Sequence, residues 1–180
     1  MKTSLVAIAL LATSVAACSG EPASTNETGE VAAASSGLIA DLGGESRGPV
    51  YTKNQGETLA LSGYDAVSYF SGAAPVKGSD DFKVRYQGFD YQFANAENAE
   101  KFQDNPMKYV PQYGGYCAWA IGANDALAPG DPEVYKIVDD KLYLNFSKDV
   151  AKRWQVDIPG FIKKGDKNYP THDASEHYTS

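Results

Sequence analysis

Apolar and polar residues alternate in four short stretches along this chain, and the stretches come in pairs. Phe82-Lys83-Val84-Arg85-Tyr86 alternates, Gln87-Gly88 breaks the pattern, and Phe89-Asp90-Tyr91-Gln92-Phe93 alternates again. Period two on either side of a two-residue, glycine-containing break predicts a β-hairpin. Asn95 stands where an N-cap belongs. The stretch from Ala96 to Asp104 then has helical spacing, with Ala99 and Phe102 turned inward. The second pair repeats the scheme. Tyr135 to Val138 is a strand, Asp139-Asp140 a turn and Leu142 to Phe146 the return strand. Ser147 caps a helix through Trp154 that carries Val150, Ala151 and Trp154 on one face.

The two units match without gaps at a spacing of 53 residues. Phe82 aligns with Tyr135, Val84 with Ile137, Phe89 with Leu142 and Phe93 with Phe146. The apolar strand faces, ending at Phe93 and Phe146, are expected to pack on the helices. The predicted fold class is therefore α+β: a small antiparallel sheet from two β-hairpin-plus-helix units. A short helix from Ala66 to Phe70 is expected before the first hairpin, with Asp65 as its N-cap. Between the units, Asn105 to Pro132 is irregular. Its adjacent Gly114 and Gly115 mark a backbone that bends tightly or approaches another segment closely.

Both ends of the chain read differently. Lys2 precedes the apolar run Leu5 to Ala12, too short to span a bilayer but suited to a signal peptide. Val15-Ala16-Ala17-Cys18 follows and fits a lipobox; Val15 and Ala17 also fit the small-residue rule of ordinary signal peptidase. Residues 1–17 are thus expected to be removed, and Cys18 to carry the lipid that attaches the protein to the membrane. Ser19, rather than Asp, directs the product to the outer membrane, facing the periplasm of a bacterial envelope. Residues 18–48 read as lipidated N-terminus and flexible tether, 49–164 as the domain and 165–180 as a polar, mobile tail.

The formal charge of −7 becomes −8 when Lys2 leaves with the signal peptide. That balance, with no basic run, excludes nucleic acid as a partner. No protein partner is indicated.

Several blocks resemble the exported YHS-domain-containing proteins. They are Leu61-Ser62-Gly63-Tyr64-Asp65-Ala66-Val67-Ser68-Tyr69-Phe70, Asn105-Pro106-Met107-Lys108-Tyr109, Tyr113-Gly114-Gly115-Tyr116-Cys117-Ala118-Trp119-Ala120, Gly130-Asp131-Pro132 and Lys141-Leu142-Tyr143-Leu144-Asn145. The likeness covers about Leu59 to Trp154, and the Tyr113 to Ala118 block is its most specific part. It implies a YHS-like fold and, through the wider family, metal handling. The metal-linked forms carry Cys near the domain start and just after the second hairpin strand. Here those places read Gly63-Tyr64-Asp65 and Phe93-Ala94-Asn95-Ala96-Glu97.

Cys117 is the one thiol left once Cys18 is acylated. It reads either as a soft ligand, with copper the candidate cofactor, or as a small buried hydrophobe beside Trp119. Met107 and Asp65 are the candidates to complete a metal site. Tyr64, Tyr113, Tyr116 and Trp119 are the candidates to line a ligand pocket. Both histidines, His172 and His177, lie in the tail, so the domain holds no Cys–His or Ser–His–Asp arrangement and no catalytic motif. Without a second Cys to resolve an oxidised Cys117, thiol redox catalysis is the weakest reading. Two non-enzymatic functions remain open: binding of a metal ion or small ligand near Cys117, and a protein-interaction or structural module whose YHS-like site is degenerate.

Overall fold

A computed structural model of the chain describes residues 37–178. The expected signal peptide, Cys18 and residues 19–36 of the expected tether lie outside the described residues. The elements are β1 (Leu38–Asp41), β2 (Ser79–Tyr86), β3 (Phe89–Phe93), α1 (Ala96–Asp104), α2 (Pro106–Tyr109), α3 (Ala118–Asn124), β4 (Asp131–Val138), β5 (Lys141–Asn145), α4 (Lys148–Gln155) and α5 (Ile158–Asn168). Among the described residues no helix is long and apolar enough to cross a membrane.

The mixed α/β class and both hairpin-plus-helix units are present. The strands form two small sheets rather than one: β1-β2-β3, with β1 parallel to β2, and β4-β5. Asn95 accepts the Asn98 amide at 2.9 Å and Ser147 accepts the Val150 amide at 3.3 Å, as N-caps do. Both hairpin turns have two consecutive left-handed residues, Gln87-Gly88 (φ 53 and 83) and Asp139-Asp140 (φ 49 and 57). That geometry matches the twist of the strands it joins.

The spacing between the units is 52 residues, not 53. β2 and β4, β3 and β5, and the starts of α1 and α4 all correspond at 52. So do the register irregularities, between Ser79 and Lys83 in β2 and between Asp131 and Tyr135 in β4. A slip of one residue exchanges the two faces of a strand. Asn145, not Phe146, is therefore the counterpart of Phe93, and Asn145 is buried while Phe146 is 53% exposed. The same spacing reaches back before the hairpins. Leu61-Ser62-Gly63 and Tyr113-Gly114-Gly115 are both runs of three left-handed residues. The next residues, Tyr64 and Tyr116, form antiparallel bridges to Lys77 and Pro129. The backbone amides of Asp65 and Cys117 donate to Val76 O and Ala128 O, each at 2.9 Å. The short helix after Asp65 is a 3-10 turn at Ser68–Ser71, later than expected.

Each unit packs around one aromatic residue of its helix. In the first, Phe102 meets Tyr91 and Phe93 with ring centroids 4.9 and 5.0 Å away. In the second, Trp154 meets Tyr143 at 5.5 Å. The second core also recruits residues assigned to the tail, which corrects the domain end at 164. Apolar Ile158, Phe161 and Ile162 and small Gly165 keep one face of α5 against this core, so the helix continues to Asn168. Tyr169 then donates its hydroxyl to Pro49 O at 2.8 Å. His177 stacks on Tyr51 with centroids 6.3 Å apart, and its Nε2 lies 3.0 Å from Thr52 O. The tether boundary moves as well, because β1 lies within 18–48 and Gly48 is already buried.

Candidate functional site

Asp65 and Cys117 occupy the same place in the two units. Asp65 is fully buried, and four N–H groups occupy its carboxylate. Oδ1 accepts from the amides of Val67 and Ser68 at 2.8 and 3.2 Å. Oδ2 accepts from the Ala94 amide at 2.9 Å and from Asn98 Nδ2 at 2.6 Å. The backbone N–H groups of Trp119, Ala120 and Phe146 lie around the Cys117 sulfur, and that of Trp119 donates to Asn145 Oδ1 at 3.3 Å. Trp119, Ala120 and Phe146 are the residues 52 positions beyond Val67, Ser68 and Ala94. The Cys117 S–H is directed at Asn145 Oδ1, 3.8 Å away. Burial pushes the thiol pKa up, against the opposing effect of the three N–H groups.

The three candidate metal ligands are not assembled. The Asp65 lone pairs are committed to N–H donors, and the Cys117 sulfur is enclosed by backbone and Asn145. Met107 is 52% exposed on α2. Among the described residues no group of three or more His, Cys, Asp or Glu side chains is placed to hold a metal ion. Neither histidine bonds to Cys117. His172 lies between Glu176, 2.9 Å away, and Asp125, 3.3 Å away.

The four residues expected to line one pocket are also dispersed. Tyr64 donates to Glu133 at 2.8 Å, with Lys77 over its ring at 4.0 Å. Tyr116 is buried edge-on to Tyr51, and Trp119 lies half-buried under Arg153. Tyr113 alone reaches a cleft, and there it meets Met107.

This cleft is open to solvent and holds about 390 Å³. Met107, Val110 and Pro111 form one apolar wall, and Tyr91, Tyr113 and Tyr169 contribute aromatic surface. Tyr113 directs its hydroxyl at Asp166 Oδ1, 3.0 Å away, and at Ile162 O, 3.2 Å away. Gly114 forms part of the lining because nothing larger fits. A Cβ there would collide with Pro49 O, and the Gly114 carbonyl accepts the Tyr51 amide at 2.9 Å.

Residues outside the expected site complete the cleft. Arg47 comes from the end of the expected tether, Val50 from the first residues of the expected domain, and Tyr169 and Pro170 from the expected tail. The helical spacing of Ile158, Phe161, Ile162 and Gly165 was the signal that the chain keeps packing past 164. No comparable signal marks Arg47. A second groove, of about 450 Å³, lies on the repeat-related face. Its Pro159, Ile162 and Lys163 stand 52 residues beyond Met107, Val110 and Pro111. It has no aromatic residue in its lining.

Comparison of the chain with models of known families, with curated proteins and with solved structures finds no match.

Proposed function

We propose that the chain is a lipid-anchored protein of the bacterial envelope whose YHS-like domain binds a small organic ligand without transforming it, in the cleft beside Tyr113. The observation that carries this reading is the cleft itself: an apolar and aromatic concavity of binding-site size with a few polar groups converging on it. It favours a small ligand over copper, because the soft donors Cys117 and Met107 are separated, one enclosed and the other on the cleft wall. The anchor rests on Val15-Ala16-Ala17-Cys18, and the YHS-like character on the resemblance of Leu59 to Trp154.

Two measurements on the mature protein in detergent test the reading. Methyl NMR spectra recorded with a panel of small aromatic compounds should show shifts at Met107, Val110 and Val50. Cu(I), titrated against a competing chelator, should find no site that depends on Cys117. Methyl shifts absent for every compound would overturn the ligand reading in favour of an interaction module. A tight copper site lost in Cys117→Ser would restore the metal reading. Labelled palmitate should enter the wild-type chain and be absent from Cys18→Ala.

A further inference from the structure

We infer that the cleft selects an organic monoanion, a carboxylate carried on an apolar or aromatic body; this rests on the cleft being the binding site. The central observation is Tyr91. Its side chain lines the cleft, the residue is only 4% exposed, and its hydroxyl, which keeps some accessible surface, bonds to no described residue. A hydroxyl on an otherwise buried ring, left accessible at a cavity and without a protein partner, is a donor available to a ligand's acceptor. Burial raises the Tyr91 pKa, with Tyr169 and Tyr86 nearby adding to the shift, so the hydroxyl keeps its proton and donates.

Charge supplies the second, independent observation. Arg47 and Lys141 line the same cleft, and neither makes an ion pair with a described residue. The chain as a whole carries −7, so two free cations at one cavity run against the general balance. Asp166 is the one carboxylate in the lining, and it already accepts the Tyr113 hydroxyl. A lining with two cations and one anion is complementary to a single negative charge. A guanidinium and a phenol offer N–H and O–H donors together, which a carboxylate accepts on its two oxygens. The wall of Met107, Val110 and Pro111 has no polar side chain to offer. A bare inorganic anion would leave that wall in water, so the charge must come with an apolar body.

The test uses the mature full-length protein in detergent and four probes: 3-phenylpropionate, its neutral amide, 3-phenylpropylamine and inorganic phosphate. Binding is measured by calorimetry and located by methyl NMR. The carboxylate should bind at least about tenfold more tightly than the amide, and the amine and phosphate should bind more weakly still. Added salt should narrow the gap between carboxylate and amide. Arg47→Gln combined with Lys141→Gln should bring the carboxylate to the level of the amide. These are surface changes, so circular dichroism should be unaltered. Tyr91→Phe keeps the ring and should weaken the carboxylate about three- to tenfold without moving the amide. An amide that binds in the cleft as tightly as the carboxylate would overturn the anion assignment and leave the cleft reading standing. Phosphate binding as tightly as the carboxylate would overturn the requirement for an apolar body. No cleft shift with any probe would overturn both.

Discussion

The first unit holds a carboxylate where the second holds a thiol, in cradles built from corresponding backbone. Asp65 has four donors for its two oxygens, including the Asn98 amide. Cys117 has three backbone N–H groups and the Asn145 oxygen, an acceptor that favours the protonated thiol. The most distinctive cysteine of the chain thus corresponds to a residue whose role is structural. Both side chains tie a helical turn to the junction between the hairpin and the following helix. The difference in charge is met at position 98 or 150: Asn98 donates a further N–H to the carboxylate, and the corresponding residue in the second unit is the apolar Val150.

The largest expected effect tests that equivalence. Asp65→Ala strands four N–H donors, two of them buried and two part-buried, and should cost about 4 kcal/mol, lowering the thermal midpoint by about 10 °C or more. Cys117→Ala removes a neutral group and should cost about 1–2 kcal/mol. Alkylation of Cys117 should await unfolding, because its sulfur is buried and its pKa raised. Equal losses for the two variants, measured by urea unfolding, would break the comparison.

The cores differ too, since the second leans on the chain terminus and the first does not. Ending the chain after Asn168 removes the Tyr169–Pro49 hydrogen bond and the His177 contacts with Tyr51 and Thr52. It should cost about 2 kcal/mol and lower the midpoint by more than about 5 °C. Fluorescence of Trp154 should report the loss, because Trp154 lies in the second core.

Alkaline pH should strain the second core. Tyr143 is the counterpart of Tyr91, and burial pushes the pKa of Tyr143 and of Tyr116 up to about 12. The folded state holds these phenolic protons more tightly than the unfolded chain does. Their contribution is complete below the ordinary phenol value of 10.0 and is lost as pH rises towards about 12. Thermal midpoints measured across that window should fall while phenolate absorbance of the folded protein lags behind that of model tyrosine.

The smallest effect concerns the turns. Gly88 fits the second left-handed position of its turn, whereas Asp140 occupies the same position at φ 57 with a side chain. Asp140→Gly should stabilise by about 0.5 kcal/mol, and Gly88→Asp should destabilise by a similar amount. Calorimetry on the two variants checks both signs.

Local chemistry in the sequence determined the elements. Alternation marked β3, most of β2 and the matching parts of β4 and β5. Asn95 and Ser147 marked helix starts, and Gln87-Gly88 and Asp139-Asp140 marked turns, because each of these signals acts within a few residues of itself. The 52-residue spacing was legible in the same caps and turns. The apolar match pointed to 53 because strands with apolar residues on both faces, such as Leu142-Tyr143-Leu144, fit either register. Tertiary structure alone decided that Cys117 would face Asn145 rather than Met107, and that Arg47, Val50 and Tyr169 would converge on one cleft. Those outcomes depend on contacts between residues far apart in the chain, 28 positions for Cys117 with Asn145 and 120 for Tyr169 with Pro49, which no local pattern encodes.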